Sequence, residues 1–376
     1  TQAYRGLYSL LLTPQERRDL ILGQRKPVTD RSIALKGKFD NPEIGDIVRK
    51  AMQAKDYFLL VGPPGTGKTS VALKAMVEEL LRDSGRKNLL LMAYTNRAVD
   101  EICQMLEGLD EQPEYVRIGQ ELNCEPAYRH RLIKYKIREA QNRKQIFDLL
   151  EPVQIFVGTI SSMAGRSELF ELKRFDTAII DEASQVLEPQ LLPLLCATTS
   201  LPDPSYRSNP CAIGKFILIG DHKQLPAVVL QNPARSEVYS ETLKGIGLTN
   251  CRNSLFERLH TLQQILHTEQ DTVAWLHRQG RMHEDLSEFV NRHFYNRQLG
   301  VVPLPHQQGP LPHRYEGTDP WKRRVAEQRL DFIPVVPTEY GENNKVNREE
   351  ATVIGQLVEA LYRLHEQEKD WNPARQ

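Results

Sequence analysis

The sequence predicts an open α/β fold built on a parallel sheet, and three observations carry that prediction. First, apolar runs recur between helical patterns: YFLLVG (57–62), NLLLMAY (88–94), QIFVGT (154–159), TAIID (177–181) and KFILIGD (215–221). They are apolar at consecutive rather than alternate positions, as strands covered on both faces are. Second, the glycine-rich stretch GPPGTGKT (62–69) joins the first run to the helical pattern TSVALKAMVEELL. Third, two later runs end in charged turns, and ligands of open α/β folds bind at those carboxyl ends.

Taken in chain order, residues 1–38 form a basic, helical lead-in, in which Pro14 opens a helix through ERRDLILG. Residues 39–270 make the first α/β domain. Within it, Glu125–Leu150 is an insert. Its segment RHRLIKYKIREAQNRK (129–144) carries seven Lys/Arg against one Glu. Ile133, Ile137 and Ala140 fall at helical spacing, so an amphipathic helix with a basic face is expected. From charge alone, a solvated face and a phosphate-contacting face are both open. SLPDPSYRSNP (200–210) reads as a loop between two strands. A weaker series begins at TVAWLH (272–277) and includes DFIPVV (331–336). It closes on a helix from Asn347 to Gln367, with Asn347 as cap and Glu350 three residues on. VVPLPHQQGPLPHRYEGTDP (301–320) reads as loop. Residues 271–376 are therefore expected to start a second α/β domain.

Composition excludes several classes. The chain is 40% hydrophobic and 26% charged, which suits a folded globular protein. Lys+Arg and Asp+Glu both number 49, so a polyanionic partner must meet a local basic surface rather than a global field. The five cysteines, Cys103, Cys124, Cys196, Cys211 and Cys251, form no CxxC pair. They read as reduced thiols, without a zinc site or disulfide framework. No apolar run is long enough to span a membrane. The start, TQAYRGLYSLLLTPQERRD, lacks an initiator Met and a cleavage pattern and reads as the beginning of a fragment.

GPPGTGKT fits G-x-x-x-x-G-K-[ST], between a strand and a helix as that motif requires. Gly62, Gly65 and Gly67 let the backbone curl so that the loop's N–H groups point at phosphate oxygens, at the positive end of a helix; Pro63, Pro64, Thr66 and Ser70 complete the candidate nucleotide-binding stretch. Lys68 places a charge on the outer phosphates, and Thr69 offers its hydroxyl to Mg²⁺. TAIIDEASQ (177–185) ends a strand in adjacent carboxylates. Asp181 is the candidate to hold the magnesium ion, and Glu182 to orient and deprotonate an attacking water. FILIGDHKQLPAVV (216–229) ends another strand in a Gly-Asp turn. If that strand neighbours the one ending at Asp181, Gln224 reaches the terminal phosphate.

Together these stretches resemble motifs I, II and III of superfamily 1 helicases. The branch they resemble holds the nonsense-mediated-decay helicase, the senataxin-type helicases and the replication nuclease-helicase. AYTNRAVDEI (93–102) is similar to that branch's motif Ia, and VGTISSM (157–163) to its motif Ic. YVRIGQ (115–120) resembles the arginine-containing strand after motif Ia. QGRMHEDLSEFVNRHFY (279–295) resembles the motif IV region, usually QYRMH. The resemblance implies two RecA-like domains, ATP with Mg²⁺ as cofactor, and single-stranded nucleic acid crossing both domains. Carried over by motif, Thr95, Asn96 and Thr159 touch the nucleic-acid backbone, and Arg281 is the second-domain arginine aimed at the terminal phosphate. It further implies movement 5′ to 3′. A monomeric motor in the cytoplasm or nucleus is expected, with DNA somewhat favoured, although the residues named contact backbone features that DNA and RNA share and leave the two open. Two other readings stay open: an NTP-gated nucleic-acid clamp that does not unwind, and the helicase part of a larger nuclease fusion.

The sequence departs from the family pattern in three places. A glutamine that recognises adenine usually lies about eighteen residues before the first P-loop glycine; the matching position holds Ile44. QYRMH becomes QGRMH, so Gly280 replaces an aromatic that stacks on the base. Both changes fall on the base and neither on the phosphates, which predicts weak discrimination among NTPs. Motifs V and VI do not occur before Gln376, so the second domain is expected to be incomplete and this chain alone weakly active.

Overall fold

The computed structural model describes residues 2–82, 87–166, 168–201, 211–311, 314–336 and 346–366. Seven strands form one sheet: β1 (Tyr57–Val61), β2 (Leu89–Ala93), β3 (Tyr115–Ile118), β4 (Ile155–Thr159), β5 (Phe175–Asp181), β6 (Ile213–Gly220) and β7 (Val273–Trp275). Their order is β3-β4-β2-β5-β6-β1-β7, and every pairing is parallel. All carboxyl ends therefore share one edge. β5 and β6 are neighbours, as the reach of Gln224 requires.

The consecutive apolar residues divide by strand period between two cores. Tyr57, Leu59 and Val61 of β1 enter one, and Phe58 and Leu60 the other. The first core is covered by Leu20 and Ile21 of the lead-in and by the helices Glu188–Leu195 and Leu255–Leu266. The lead-in consists of α1 (Gln2–Leu12) and α2 (Gln15–Ile21), with Pro14 at the N-cap of α2. Arg17 fastens it to the amino end of β6, donating to the carbonyls of Ile213 and Gly214 at 2.6 and 2.7 Å. The second core is covered by α3 (Pro42–Gln53), α4 (Lys74–Leu81) and α5 (Asn96–Glu107). Ile44 is 6% exposed and packs in this core beside Ile47 and Val48. At the amino end of β6, Lys215 donates to the carbonyls of Ala51 and Ala54 at 2.8 and 3.1 Å and so holds the C-terminus of α3.

Three expectations are corrected. The basic insert is not one amphipathic helix. It folds as a 3-10 turn (Pro126–Arg131), the short α6 (Ile133–Lys136) and α7 (Arg143–Leu150), whose new start is capped by Asn142 accepting from the Gln145 amide at 3.0 Å. Leu132 bridges Arg117 of β3, and Arg131, Lys134 and Lys136 pair with Glu107, Glu121 and Glu114. Docking on the sheet edge and on these acids wins over helical period. TVAWLH does not open a second sheet: β7 pairs with β1, Leu59 against Val273 through Val61 against Trp275. DFIPVV forms no strand. Pro334 interrupts it and cannot donate to a ladder, and Phe332 and Val336 are 84% and 78% exposed.

Contacts divide the chain into two units, Thr1–His277 and Arg278–Gln376. The second unit holds a two-residue parallel pair, β8 (Arg278–Gln279) with β9 (Gly300–Val301). Its helices are Glu284–Phe294, Pro305–Gln308, Pro320–Glu327 and Arg348–His365. Asn347 caps the last of these, accepting from the Glu350 amide at 3.1 Å. The loop read over 200–210 lies outside the described residues from 202 onward, as does Gln367. Among the described residues no helix is long and apolar enough to cross a membrane.

Candidate active site

β1 runs into the glycine-rich loop, and the Gly62 amide donates to the Gly220 carbonyl at 2.9 Å, tying that loop to the end of β6. Gly65 and Gly67 hold φ of +74° and +78°, a region that costs a side chain about 1–2 kcal/mol. A Cβ on Gly62 would lie 2.3 Å from Lys68 Cγ. Glycine there leaves room for the Lys68 chain to fold back over the loop. The Lys68 ammonium donates to the Gly62 carbonyl at 3.0 Å and lies 3.6 Å from Glu182 Oε1. The buried Thr66 hydroxyl donates to the Pro63 carbonyl at 2.8 Å. Residues Lys68–Leu73 form a π-helical turn before α4, a widening often found at functional sites. Ser70 lies exposed on that turn, and Pro64 is half-buried.

Across the sheet edge, β5 delivers Asp181 and Glu182. Thr69 Oγ1 lies 2.5 Å from Asp181 Oδ2. Asp181 is 1% exposed, and burial, opposed by the Thr69 hydrogen bond and aided by the Glu182 charge, pushes its carboxyl up to about 6. Glu182 takes φ +53°, rare for a non-glycine residue, and its amide donates to Asp181 Oδ1 at 2.9 Å. The following turn closes on β6. Gly220 has no room for a Cβ, which would meet the Ser184 amide at 2.9 Å. Ser184 Oγ accepts from the Asp221 amide at 3.1 Å, and Gln224 Nε2 donates to Asp221 Oδ2 at 2.8 Å. Lys68, Thr69, Asp181, Glu182 and Gln224 thus lie beyond the carboxyl ends of three adjacent strands, β5, β6 and β1, with Lys68 and Thr69 opening the helical turn after β1. Sequence reasoning missed Ser184 and Asp221. Their only signal was a small hydroxyl and a second carboxylate inside stretches already singled out.

The pair Thr69 and Asp181 fits Mg²⁺. A hard cation takes oxygen ligands, and the Thr69 hydroxyl and the Asp181 carboxylate present theirs at one place. Among the described residues no group of three or more His, Cys, Asp or Glu is placed to hold a metal. Magnesium in such sites draws its other ligands from substrate phosphates and water.

The candidate nucleic-acid residues lie on the same edge, beyond the neighbouring strands. Thr95 caps α5, accepting from the Ala98 amide at 3.2 Å, and Asn96 begins that helix. Thr159 caps α8 (Ile160–Ala164), accepting from the Ser162 amide at 3.1 Å, and is 7% exposed. In register Thr159 faces Ala93, so β2 and β4 bring these residues to one place. Arg281 belongs to the second unit, where its side chain is exposed and its amide donates to Gln279 Oε1 at 2.9 Å.

A glycine-rich loop of the form G-x-x-x-x-G-K-[ST], a buried Asp beside its threonine and a Glu beside its lysine, all at the carboxyl edge of a parallel sheet, define a P-loop NTPase domain of the RecA-like kind. The family described as AAA domain matches residues 39–148 and 126–232, and a second family of the same description matches 251–372. The chain belongs to this AAA-domain family, within superfamily 1 helicases of the replication nuclease-helicase, nonsense-mediated-decay and senataxin type. It is 30% identical over 323 residues to the DNA replication ATP-dependent helicase/nuclease JHS1 of Arabidopsis thaliana, covering 84% of this chain and 21% of that protein. Against the DNA replication ATP-dependent helicase/nuclease DNA2 of Homo sapiens it is 34% identical, over 52% of this chain and 17% of that protein. Against the Saccharomyces cerevisiae DNA2 it is 27% identical, over 84% and 19%. The chain spans about a fifth of the length of these relatives. Among solved structures it is similar to an Arterivirus nonstructural protein 10 (helicase) in complex with DNA, at 14% identity and a TM-score of 0.35, over 72% of this chain and 46% of that one.

Proposed function

We propose that this chain is the motor part of a nucleic-acid-dependent NTPase, a helicase or translocase that couples ATP hydrolysis to movement along a single strand. The observation that carries the reading is the meeting of the loop after β1 with the turn after β5, Thr69 against Asp181 and Lys68 against Glu182. The loop amides and Lys68 hold the β- and γ-phosphates. Thr69 and Asp181 hold Mg²⁺, which when bound neutralises phosphate charge. Glu182 orients a water in line with the γ-phosphorus and takes its proton. The new P–O bond forms as the bond to the β–γ bridging oxygen breaks, and ADP leaves with that electron pair. Gln224, one strand away, senses the terminal phosphate, and Arg281 adds positive charge to it in the transition state.

Thr95, Asn96 and Thr159 contact the backbone of the strand, a mode that positions a polymer without reading its sequence. The relatives are named for DNA replication, which supports DNA over RNA, and as helicase/nucleases, which supports a nuclease in the same polypeptide. The motor works as a monomer. An NTP-gated clamp uses the same site and differs only in failing to move. The test is NTP hydrolysis by the full-length parent protein with and without single-stranded DNA, beside Lys68→Ala. Hydrolysis rises with DNA and is abolished by Lys68→Ala. Full activity in Lys68→Ala would sink the phosphate assignment, and an indifferent response to DNA would sink the motor.

A further inference from the structure

The second unit contains a polar brace around Arg281 that extends beyond the motif. The turn 279–282 is closed on itself by Gln279. Its Oε1 accepts from the amides of Arg281 and Met282 at 2.9 and 2.7 Å, and its Nε2 donates to the Met282 carbonyl at 2.9 Å. A second glutamine, 28 residues later, locks this turn from outside. Gln307 Nε2 donates to the carbonyls of Gln279 and Met282, at 2.9 and 3.0 Å. Both glutamines are 0% exposed. Beside them, His306 Nε2 donates to the Gly280 carbonyl at 3.0 Å, and the Val302 amide donates to the Gln279 carbonyl at 2.9 Å. Leu304 closes the other side, its Cδ1 lying 3.4 Å from where a Cβ on Gly280 would sit.

A buried amide that spends both N–H groups on two carbonyls of one turn is expensive to leave unmatched, so the two segments hold one geometry. The backbone of Arg281 is the centre of that geometry, while its side chain is free to reach out. We infer that the segment Val302–Gln307 is a positioning brace for Arg281, with Gln307 the positioning residue that fixes where the guanidinium starts from. The inference rests on the reading of Arg281 as a charge for the terminal phosphate. It adds a determinant of the reaction in a stretch that reads as plain loop.

Misplacement of a transition-state group by about 1 Å costs up to about a hundredfold in rate. The test compares DNA-stimulated hydrolysis by the full-length protein carrying Arg281→Ala, Gln307→Ala, Gln307→Glu and the double change Arg281→Ala with Gln307→Ala. Gln307→Glu keeps the shape and removes both donors. The expected result is a fall in kcat of roughly ten- to a hundredfold for either Gln307 change, with KM for ATP and affinity for single-stranded DNA within about threefold of the parent. The double variant is expected to be no slower than Arg281→Ala alone, because the brace acts only through that arginine. A merely structural role makes the two losses multiply and weakens DNA affinity, and that result overturns the inference. So does an unchanged kcat in Gln307→Glu while Arg281→Ala is slow. If Arg281→Ala itself leaves kcat unchanged, the reading of Arg281 fails and takes the brace with it, a pattern distinct from the other two.

Discussion

Gly62→Ala tests the phosphate loop without touching any charge. Gly62 is not in the left-handed region, so alanine meets no backbone strain there, unlike at Gly65 or Gly67. Its Cβ would lie 2.3 Å from Lys68 Cγ and 2.6 Å from Cδ, whereas ordinary contact begins at 3.4 Å. The lysine stem must therefore retreat by about 1.1 Å, the difference between 3.4 and 2.3 Å. The neighbouring Leu276 Cδ1, at 3.3 Å, needs almost no adjustment. A retreat of that size pulls the ammonium from the Gly62 carbonyl and from the outer phosphates. By the same scaling, kcat/KM for ATP is expected to fall by roughly a hundredfold, about 2.7 kcal/mol. Steady-state hydrolysis by the full-length protein with saturating single-stranded DNA measures it, and a thermal melt of the same sample checks that the fold is kept. A Gly62→Ala protein within threefold of the parent, folded and DNA-bound, would refute the claim that glycine is there to seat Lys68.

Two further outcomes are expected. With Ile44 packed in the core and Gly280 in place of an aromatic, the full-length enzyme should hydrolyse GTP nearly as well as ATP; a preference for ATP above about a hundredfold in kcat/KM contradicts this. Burial pushes the Lys215 ammonium down to about 7 from 10.5. Below pH 7 both folded and unfolded chains carry that charge and the folded state bears the cost of burying it. Between about pH 7 and 10.5 the unfolded chain binds the extra proton, so this group's contribution to stability rises with pH. Urea unfolding of the parent and of Lys215→Met at pH 6.5 and 9 isolates it: the difference should move in the parent's favour at the higher pH, and a flat difference rejects the assignment.

What could be read from the sequence follows from how local each signal is. The central strands announce themselves because burial on both faces demands consecutive apolar residues, as in YFLLV and LLLMA. The phosphate loop is legible because its glycine spacing is itself the chemistry. Asp181 and Glu182 are legible because they end such a strand. The place of β7 is not legible, because three residues carry no sign of which strand they join; the distant pairing of Val273 with Leu59 decides it. The break in the insert is not legible either, because Asn142 can equally sit on a polar helix face or cap a new helix. The ion pairs to Glu107, Glu114 and Glu121 that favour the break come from elsewhere in the chain. Ser184 and Gln307 were invisible for the same reason. A serine and a glutamine acquire a role only through the backbone groups that other segments bring to them.

The sheet order also sets the proposed phosphate residues and the proposed strand-contacting residues along one edge, on either side of β5. β5 is the common neighbour. On one side Asp181 is in register with Ala93 of β2, two residues before Thr95. On the other, Ile180 is in register with Leu218 of β6, two residues before Gly220 and the turn that holds Gln224. The turn 181–185 continues directly from β5, the strand between these two neighbours. It bears on Thr69 through Asp181, on Lys68 through Glu182 and on Asp221 through Ser184. Its backbone is held at Glu182 in a sparsely populated conformation, at an order of 1–3 kcal/mol, and such strain persists only where the surroundings over-determine it.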